Sequence, residues 1–456
     1  MRAPVGAGAV VSSALVAVAL ALASGGCDWR QLDALKKQTP VLAIGAPSNY
    51  PAGDDFGPIL LPLDPPGDGS AAGRFVATAT YKTSVGVMSF DAAGNPRGVG
   101  ITNDALDLLA QGPVTAIAPF PGGEQVLLGA PASAVGDVLV MDVDPPYQTK
   151  TFQELSEGQY GVGLAAANIA GGAAPEVVVM SSAILHVYAD VVLPATGTEF
   201  TRTSSGAADP CPIDFTSALP PRDRNNRAVI IDQLLANGTQ IAVGTPTASG
   251  PGHVSIFNFD ATNGVTCAAA LTAPEARFGV AMTLVDTNGD GTKDSLLVGA
   301  PPTHAYLFTL PLTNGQAPAQ TATDMTTGGD FGGAVAAFDL DGKPGDEMFV
   351  GNPDASVDGT DTAGHVSIFT GAAMTMVPPT TIPNPLTMHE PKAGQGYGAG
   401  IASMPFCPGN LGVPAGDGGA STADAGVAAC TRLPLIGSLS KVYTYFTLKK
   451  PDPRLK

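Results

Sequence analysis

The sequence contains few charged residues, and basic residues are especially scarce. Charged residues are 14% of the 456 residues, and 22 Lys plus Arg stand against 40 Asp plus Glu, which gives a formal net charge of −18. A nucleic-acid backbone would be repelled by this charge, so nucleic-acid binding is not expected. The hydrophobic fraction is nevertheless 44%, which is enough to build a large core and argues against a disordered chain.

Helical periodicity is also missing after residue 40. The chain contains 57 Gly and 41 Pro, which would interrupt helices throughout. A single all-helical domain is therefore disfavoured. What remains is a loop-rich, acidic, all-β protein.

The first residues have the pattern of an export signal. Arg2 supplies a positive start, and residues 10–23 form an apolar run that is too short to span a membrane comfortably. Small residues follow this run and precede Cys27. They resemble the lipobox of bacterial lipoproteins, in which the Cys is acylated and becomes the new N-terminus. The lipobox prefers Leu where this chain has Ser24, and an ordinary signal peptide with a coincidental Cys is the alternative.

The lipobox resemblance implies an N-terminal organisation in two parts. Residues 1–26 are expected to be a cleaved signal peptide, and residues 27–40 a short tether that starts at the lipidated Cys27. The membrane would then be reached through the lipid alone. We expect an envelope lipoprotein on the periplasmic or the cell-surface side.

The cysteine count agrees with this organisation. Five Cys leave an odd one in an exported protein, and assigning Cys27 to lipid leaves four, which can pair in three ways. We expect the sequence-local pairs Cys211–Cys267 and Cys407–Cys430, because each pair flanks one stretch of chain. Free buried thiols are the alternative.

The body of the chain is built from repeats. The hexapeptide Gly-His-Val-Ser-Ile-Phe occurs at residues 252–257 and again at residues 364–369. Short apolar runs that end in a Gly-x-Pro turn recur at residues 41–47, 126–131, 241–246, 296–301 and 348–353. Most of these turns lie about 50 residues apart, and an alternating apolar strand follows each one. This period predicts a propeller or a solenoid of strand units.

Many units open with an aromatic residue followed by Gly. These pairs are Tyr160-Gly161, Phe278-Gly279, Phe331-Gly332 and Tyr397-Gly398. An aromatic–Gly pair, an Asp-rich loop and an apolar run to Gly-Ala-Pro together resemble the FG-GAP repeat of the integrin α-chain. The resemblance covers most of residues 41–446 and implies an integrin-α-like β-propeller.

That family has seven blades, whereas this chain shows eight candidate units. The first unit lacks its opening strand, so it either closes the ring by pairing with the last unit or adds an eighth blade. We predict seven blades over residues 41–448, with eight as the alternative. Residues 408–429 are expected to form a flexible insert, and residues 449–456 a C-terminal tail.

One Asp-rich loop has the spacing of a calcium site. Oxygen-bearing residues alternate along residues 286–294, and Gly permits the sharp turn that such a loop needs. The resemblance to integrin-type calcium loops assigns side-chain oxygens to Asp286, Asn288, Asp290 and Asp294, and the backbone carbonyl to Thr292. An Asx-rich turn without metal is the alternative.

Two further loops occupy the same place in their units. Residues 339–346 are one residue shorter, with Asp339, Asp341 and Asp346 as candidate calcium ligands and Lys343 where a third ligand would fall. In residues 168–176, Ala170 and Gly172 stand at ligand positions, so no metal is expected there.

No arrangement of residues predicts catalysis. His186, His253, His304 and His365 begin corresponding strands of separate units, which is typical of a repeat consensus and too dispersed for one metal. We therefore expect a non-enzymatic binding, adhesion or scaffold module for a protein or glycan ligand on the loop face. The alternatives are a propeller hydrolase or lyase with its site at the central channel, and a purely structural envelope protein.

Overall fold

The structure, a computed structural model, describes residues 41–48, 50, 56–64, 71–78, 84–91, 93–101, 114–131, 136–193, 197–204, 209–213, 228–247, 250–324, 329–340, 344–356, 362–370, 380–383, 396–407 and 431–445. The predictions made for residues 1–40, including the lipidation of Cys27, lie outside these ranges. So do the predictions for the insert at 408–429 and the tail at 449–456.

Within the described ranges every regular element is a strand, and the strands form seven antiparallel sheets of four strands each. The chain begins with β1 (Val41–Gly45), which belongs to the last sheet. Blade 1 contains β2 (Ile59–Leu63), β3 (Gly73–Thr78), β4 (Val85–Phe90) and β5 (Pro96–Ile101). Blade 2 contains β6 (Ala116–Pro119), β7 (Gln125–Ala130), β8 (Gly136–Asp142) and β9 (Thr149–Leu155). Blade 3 contains β10 (Gly163–Ala167), β11 (Glu176–Met180), β12 (Ile184–Ala189) and β13 (Thr198–Thr203).

The next three sheets repeat the same order. Blade 4 contains β14 (Val229–Asp232), β15 (Gln240–Thr245), β16 (Gly252–Asp260) and β17 (Gly264–Ala273). Blade 5 contains β18 (Met282–Val285), β19 (Ser295–Ala300), β20 (His304–Thr309) and β21 (Gln320–Thr323). Blade 6 contains β22 (Val335–Phe338), β23 (Glu347–Asn352), β24 (His365–Thr370) and β25 (Thr380–Pro383).

Blade 7 is completed by the other end of the chain. Its strands are β26 (Gly400–Phe406), β27 (Thr431–Gly437) and β28 (Lys441–Tyr445), and β1 pairs with β28 as the outermost strand. Ile44 lies opposite Val442 in this antiparallel register. The first strand of each blade contacts the first strands of both neighbouring blades, so the sheets form a closed ring. The prediction of a seven-bladed propeller is confirmed, and the first repeat unit supplies the closing strand rather than an eighth blade.

The core lies between the blades. In the described part of the chain, buried apolar side chains form a cluster at each seam, the boundary between two neighbouring blades. At the seam between blades 5 and 6, for example, Leu297 and Leu307 pack against Met348 and Val350. Because each sheet buries both of its faces in this way, its strands have little need for charged residues.

Glycines set how closely neighbouring blades approach. At five seams a Gly near the end of the second strand, called the turn Gly below, lies against the carbonyl oxygen of the Gly in the aromatic–Gly pair of the next blade; four of these belong to Gly-x-Pro turns and the fifth is Gly437. A Cβ added at this turn Gly would overlap that oxygen at five seams: Gly129 against Gly161, Gly244 against Gly279, Gly299 against Gly332, Gly351 against Gly398, and Gly437 against Gly57. No other residue type fits this contact without moving two backbones apart.

The aromatic–Gly pairs also have a special backbone. Their Gly residues have φ values of 89° to 93° at positions 161, 279, 332 and 398, in a region that favours Gly, and the aromatic side chains beside them are fully buried. The fifth pair, Phe56-Gly57, opens blade 1 in the same way, with Phe56 buried and Gly57 at φ 128°. This fifth pair is not among the four that the repeat pattern predicts, and its position shortly before the apolar run of β2 is the signal that identifies it.

A disulfide joins Cys211 to Cys267, with an S–S distance of 2.07 Å, so this predicted pair is confirmed. It attaches the segment between blades 3 and 4 to β17, the outermost strand of blade 4. Cys407 is buried directly after β26, and its predicted partner Cys430 lies outside the described residues.

The Gly–Gly contact predicts a specific loss of stability. We expect Gly244→Ala to lower the free energy of unfolding by about 1–3 kcal/mol, because the new methyl group overlaps the Gly279 carbonyl across the seam. Gly45→Ala is the matched control, since a Cβ at Gly45 of β1 meets nothing within 4 Å. Chemical denaturation of both variants measures the difference, and equal stabilities would contradict the seam constraint.

Candidate functional site

The blade-5 loop, residues 286–294, joins the first strand of its blade, β18, to the second, β19. This is the place in the blade at which the integrin-type resemblance expects a calcium loop. Gly289 and Gly291 have φ values of 76° and 84°, which allow the chain to turn twice within a few residues. The loop therefore folds back on itself and directs side-chain oxygens toward its own backbone.

A ladder of hydrogen bonds holds the blade-5 loop in this shape. The Asp286 carboxylate accepts the amide N–H groups of Gly289 at 2.6 Å and Gly291 at 2.8 Å. The Asn288 side-chain oxygen accepts the Asp290 N–H at 2.9 Å, and Asp290 accepts the Thr292 N–H at 2.7 Å. The sequence predicts oxygens at alternating positions, and in the structure those oxygens make successive Asx-type turns.

Asp294 closes the blade-5 loop from its other end. Its carboxylate accepts the Thr287 N–H at 3.0 Å and the Thr287 hydroxyl at 2.9 and 2.8 Å. The Asp294 N–H in turn donates to the Val285 carbonyl at 2.9 Å. Thr287, to which the sequence analysis gave no role, therefore holds the last acidic residue of the loop in place.

The donor chemistry of the loop fits calcium. Calcium takes six to eight oxygen ligands, and carboxylate, amide and backbone carbonyl oxygens are all present here. Each Asp286 carboxylate oxygen and the Asn288 side-chain oxygen retain a lone pair after accepting one N–H. In the described ranges, no three His, Cys, Asp or Glu side chains stand together as a group that could hold an ion.

The Asp290 carboxylate is exposed and accessible to a dissolved cation, whereas Asp286 is buried. The hydrogen bond from the Thr292 amide lowers the pKa of Asp290 below its usual range. The lowered pKa keeps Asp290 ionised at neutral pH and well into the acidic range. The charge that a cation would require is therefore present over this whole range.

The blade-6 loop, residues 339–346, is arranged differently. Asp339 directly follows β22, and Asp341 lies outside the described residues. Asp346 is buried, and its carboxylate Oδ2 accepts the Lys293 Nζ at 2.6 Å and the Asp286 N–H at 2.9 Å. The structure thus brings Asp346 to the blade-5 loop, across the seam.

Loops at the same place in three other blades are held by a side-chain amide or carboxylate. In each, the residue that starts the second strand accepts the N–H of the second residue of the loop. The bonds are Ile169 N–H to Glu176 at 2.6 Å, Leu234 N–H to Gln240 at 3.0 Å, and Leu340 N–H to Glu347 at 2.7 Å. In blade 5, Asp294 likewise accepts the N–H of Thr287, the second residue of its loop, but Asp294 stands one position before the second strand. In blade 3 the loop for which no metal is expected is therefore closed by Glu176.

Histidines occupy the third strands near the opposite face of the ring. His253, His304 and His365 share one register position, opposite the residue that follows the turn Gly in the second strand. Burial lowers the pKa of His253 below its ordinary value. His186 lies two residues further along its strand, because it pairs with Val179 within β11. The four positions are therefore not fully equivalent, in contrast to the sequence-based interpretation.

Three of these histidines contact an acidic residue from the segment that leads into their own blade. His365 Nε2 lies 2.8 Å from Asp324, His304 Nδ1 lies 3.3 Å from Glu275, and His186 Nε2 lies 2.9 Å from Glu157. The histidines of these pairs are on third strands and their acidic partners are in connecting segments, so neither is on the first strands that surround the central channel. They tie each connecting segment to the blade that follows it.

His186 belongs to a larger polar cluster at the seam between blades 2 and 3. Its Nδ1 lies 2.7 Å from Glu199, which also accepts the Tyr188 hydroxyl at 3.2 Å. The Tyr188 and Tyr160 hydroxyls are 2.8 Å apart, and burial raises the pKa of both tyrosines far above the ordinary value. Both phenols therefore stay protonated and act as hydrogen-bonding groups.

The chain matches no protein-family model and no curated protein. Of the residues described, none forms a helix long and apolar enough to cross a membrane.

The side-chain closure of the blade-3 loop gives a prediction. We expect Glu176→Ala to lower the free energy of unfolding by about 1–3 kcal/mol, because the buried amide of Ile169 loses its acceptor at 2.6 Å and the more exposed amide of Ala170 loses a longer bond. Glu176→Gln is the matched control, since Gln240 already performs this role in blade 4. Chemical denaturation measures both variants, and a Gln variant as unstable as the Ala variant would contradict the interpretation.

Proposed function

We propose that the chain is an exported, lipid-anchored and calcium-stabilised β-propeller of the FG-GAP type. In this proposal it binds a protein or a glycan at the cell envelope and catalyses no reaction. The observation that carries it is the blade-5 loop, because an acidic loop of calcium-site spacing stands between the first and second strands of a blade.

The repeat assignment is supported by the physical role of the repeated residues. Gly of an aromatic–Gly pair meets the turn Gly of the preceding blade at five seams, and four of these turn glycines belong to a Gly-x-Pro turn. This packing requires that the repeat keep an aromatic residue and a Gly at two defined positions. The resemblance to integrin-type repeats thus rests on residues that position the blades.

In the proposed calcium site, Asp286, Asn288, Asp290 and Asp294 hold the ion through side-chain oxygens, and Thr292 through its backbone carbonyl. Bound calcium would supply charge neutralisation and tie the acidic loop to its blade. Asp286 fixes the start of the loop, because it is buried and accepts two backbone N–H groups. The exposed Asp290 adds a carboxylate that is accessible to the ion.

The binding role is supported by the way polar groups are used elsewhere in the ring. The described His–acid pairs join connecting segments to blades and lie away from the central channel. The closed ring presents loops at both of its ends, and loops held on a rigid scaffold commonly bind ligands.

Calcium binding is tested by titration calorimetry on the chain without residues 1–26. We expect binding by the wild type and a heat signal that is lost or strongly reduced in Asp290→Ala. Asp260→Ala is the matched control, because Asp260 is also exposed and accepts the N–H groups of Thr262 and Asn263 within a turn of its own. No difference between the Asp290 variant and the wild type would contradict the calcium assignment.

The binding role has a second readout in the same proteins. Immobilised wild type is expected to retain a protein or glycan from envelope extract in calcium, and to release it in chelator. The Asp290→Ala variant should retain less, and the Asp260→Ala variant as much as the wild type. If a matrix without the propeller retained the same proteins and glycans in the same amounts, the result would count against a binding role.

Lipid anchoring gives a separate prediction. We expect Cys27→Ser to move the chain from the membrane fraction to the soluble fraction, because the acylated sulfur is lost. Ser24→Leu is the control, because it restores the residue that the lipobox prefers and should leave the chain in the membrane fraction. Fractionation with mass analysis of the mature N-terminus measures both, and membrane retention of an unlipidated Cys27→Ser chain would contradict the proposal.

A further inference from the structure

Asp346 of blade 6 makes several direct contacts with the blade-5 loop of the neighbouring blade. It directly precedes β23 in blade 6, and only 6% of its surface is exposed. Its carboxylate Oδ2 accepts the Asp286 N–H at 2.9 Å, and its own N–H donates to the Asp286 carbonyl at 2.6 Å. Both backbone polar groups of Asp286 are therefore bound by one residue of the next blade.

The same carboxylate also forms an ion pair with Lys293. The Lys293 Nζ lies 2.6 Å from Asp346 Oδ2, although Lys293 itself belongs to the blade-5 loop and directly precedes Asp294. An ammonium group among the loop carboxylates would compete with a cation for them. Asp346 binds this ammonium group at the seam instead.

Close packing accompanies these polar contacts. A Cβ added to Gly289 would overlap Pro344 and Gly345 of the blade-6 loop, and Gly289 has φ 76°. The turn of the blade-5 loop therefore rests directly on the blade-6 loop. The loops are held together by the packing of Gly289 on the blade-6 loop, one ion pair, one backbone–backbone hydrogen bond and one backbone–side-chain hydrogen bond.

We infer that Asp346 is a positioning residue for the calcium site of the blade-5 loop, acting across the seam. This inference rests on the calcium site proposed above. Asp346 fixes the backbone of Asp286, the first ligand, and neutralises Lys293 so that the loop carboxylates remain available to the ion. Residues that orient metal ligands typically change metal affinity by 10–100-fold when they are replaced.

The inference is tested by calcium titration of paired variants. We expect Asp346→Ala to weaken calcium binding by about 10–100-fold, and Asp346→Asn to weaken it less, because Asn keeps an acceptor for the Asp286 N–H. Adding Lys293→Met to Asp346→Asn should recover part of the lost affinity, because the competing ammonium group is gone. A merely structural role for Asp346 would not produce this recovery.

Asp330→Ala is the matched control for damage to the seam. Asp330 is equally buried, with 6% exposed, and forms an ion pair with Arg277, but it lies at the opposite end of blade 6. Thermal unfolding in chelator is measured for every variant, so that calcium-free stability and calcium affinity are separated. We expect Asp330→Ala to be destabilised and to bind calcium with the wild-type affinity.

The possible outcomes separate the two proposals. If the wild type binds calcium through Asp290 and Asp346→Ala keeps the wild-type affinity, the positioning role is overturned and the calcium site stands. Loss of one of two bound ions in Asp346→Ala, with the other unchanged, also overturns it, because Asp346 would then be a ligand in its own loop. If the wild type binds no calcium, the calcium site itself fails, and the positioning role fails with it.

Discussion

The contact on which the ring depends is the one between two glycine backbones at a seam. At five seams, Gly of a second strand lies against the carbonyl oxygen of Gly from the next blade, where no Cβ fits. In blades 5 and 6, the N–H of the Gly in the aromatic–Gly pair also donates to the turn Gly of its own blade at 3.0 Å. Glycines therefore link one blade to the next around this part of the ring, and the buried aromatic residues occupy positions that these contacts define.

The loops at the other ends of the first strands are stabilised by side chains that accept backbone N–H groups. Blades 3, 4 and 6 use one Glu or Gln at the start of the second strand. The blade-5 loop uses a series of short polar side chains, which leaves its carboxylates grouped at one turn. Both kinds of loop must pair the backbone amides of a tight turn. In blades 3, 4 and 6 a single Glu or Gln side chain does this. In blade 5 several short polar and charged side chains do it, and a bound cation would further stabilise them.

Repetition in the sequence was sufficient to predict the propeller, because apolar strands recur in every blade and most blades share the aromatic–Gly pair or the turn Gly. Phe56-Gly57 was overlooked because blade 1 has only a weak copy of the turn that marks the other blades. The position of His186 was misjudged because β11 lacks the turn Gly that fixes the register elsewhere. The direction of the Asp346 side chain could not be predicted at all, since it depends on Lys293 and Asp286 in a neighbouring blade. Local spacing identifies elements, whereas contacts across a seam depend on how the ring closes.

The pairing of β1 with β28 has a consequence for how the chain folds. Val41 and Tyr445 lie opposite each other although about 400 residues separate them in sequence. The strand that is synthesised first thus finds its partner only after the last blade has been made, so the outer edge of blade 7 must wait for the complete chain. Pairing between such distant segments slows folding, because a long loop must be closed before the contact forms. Without β1, blade 7 would have three strands and β28 would become its exposed outer edge.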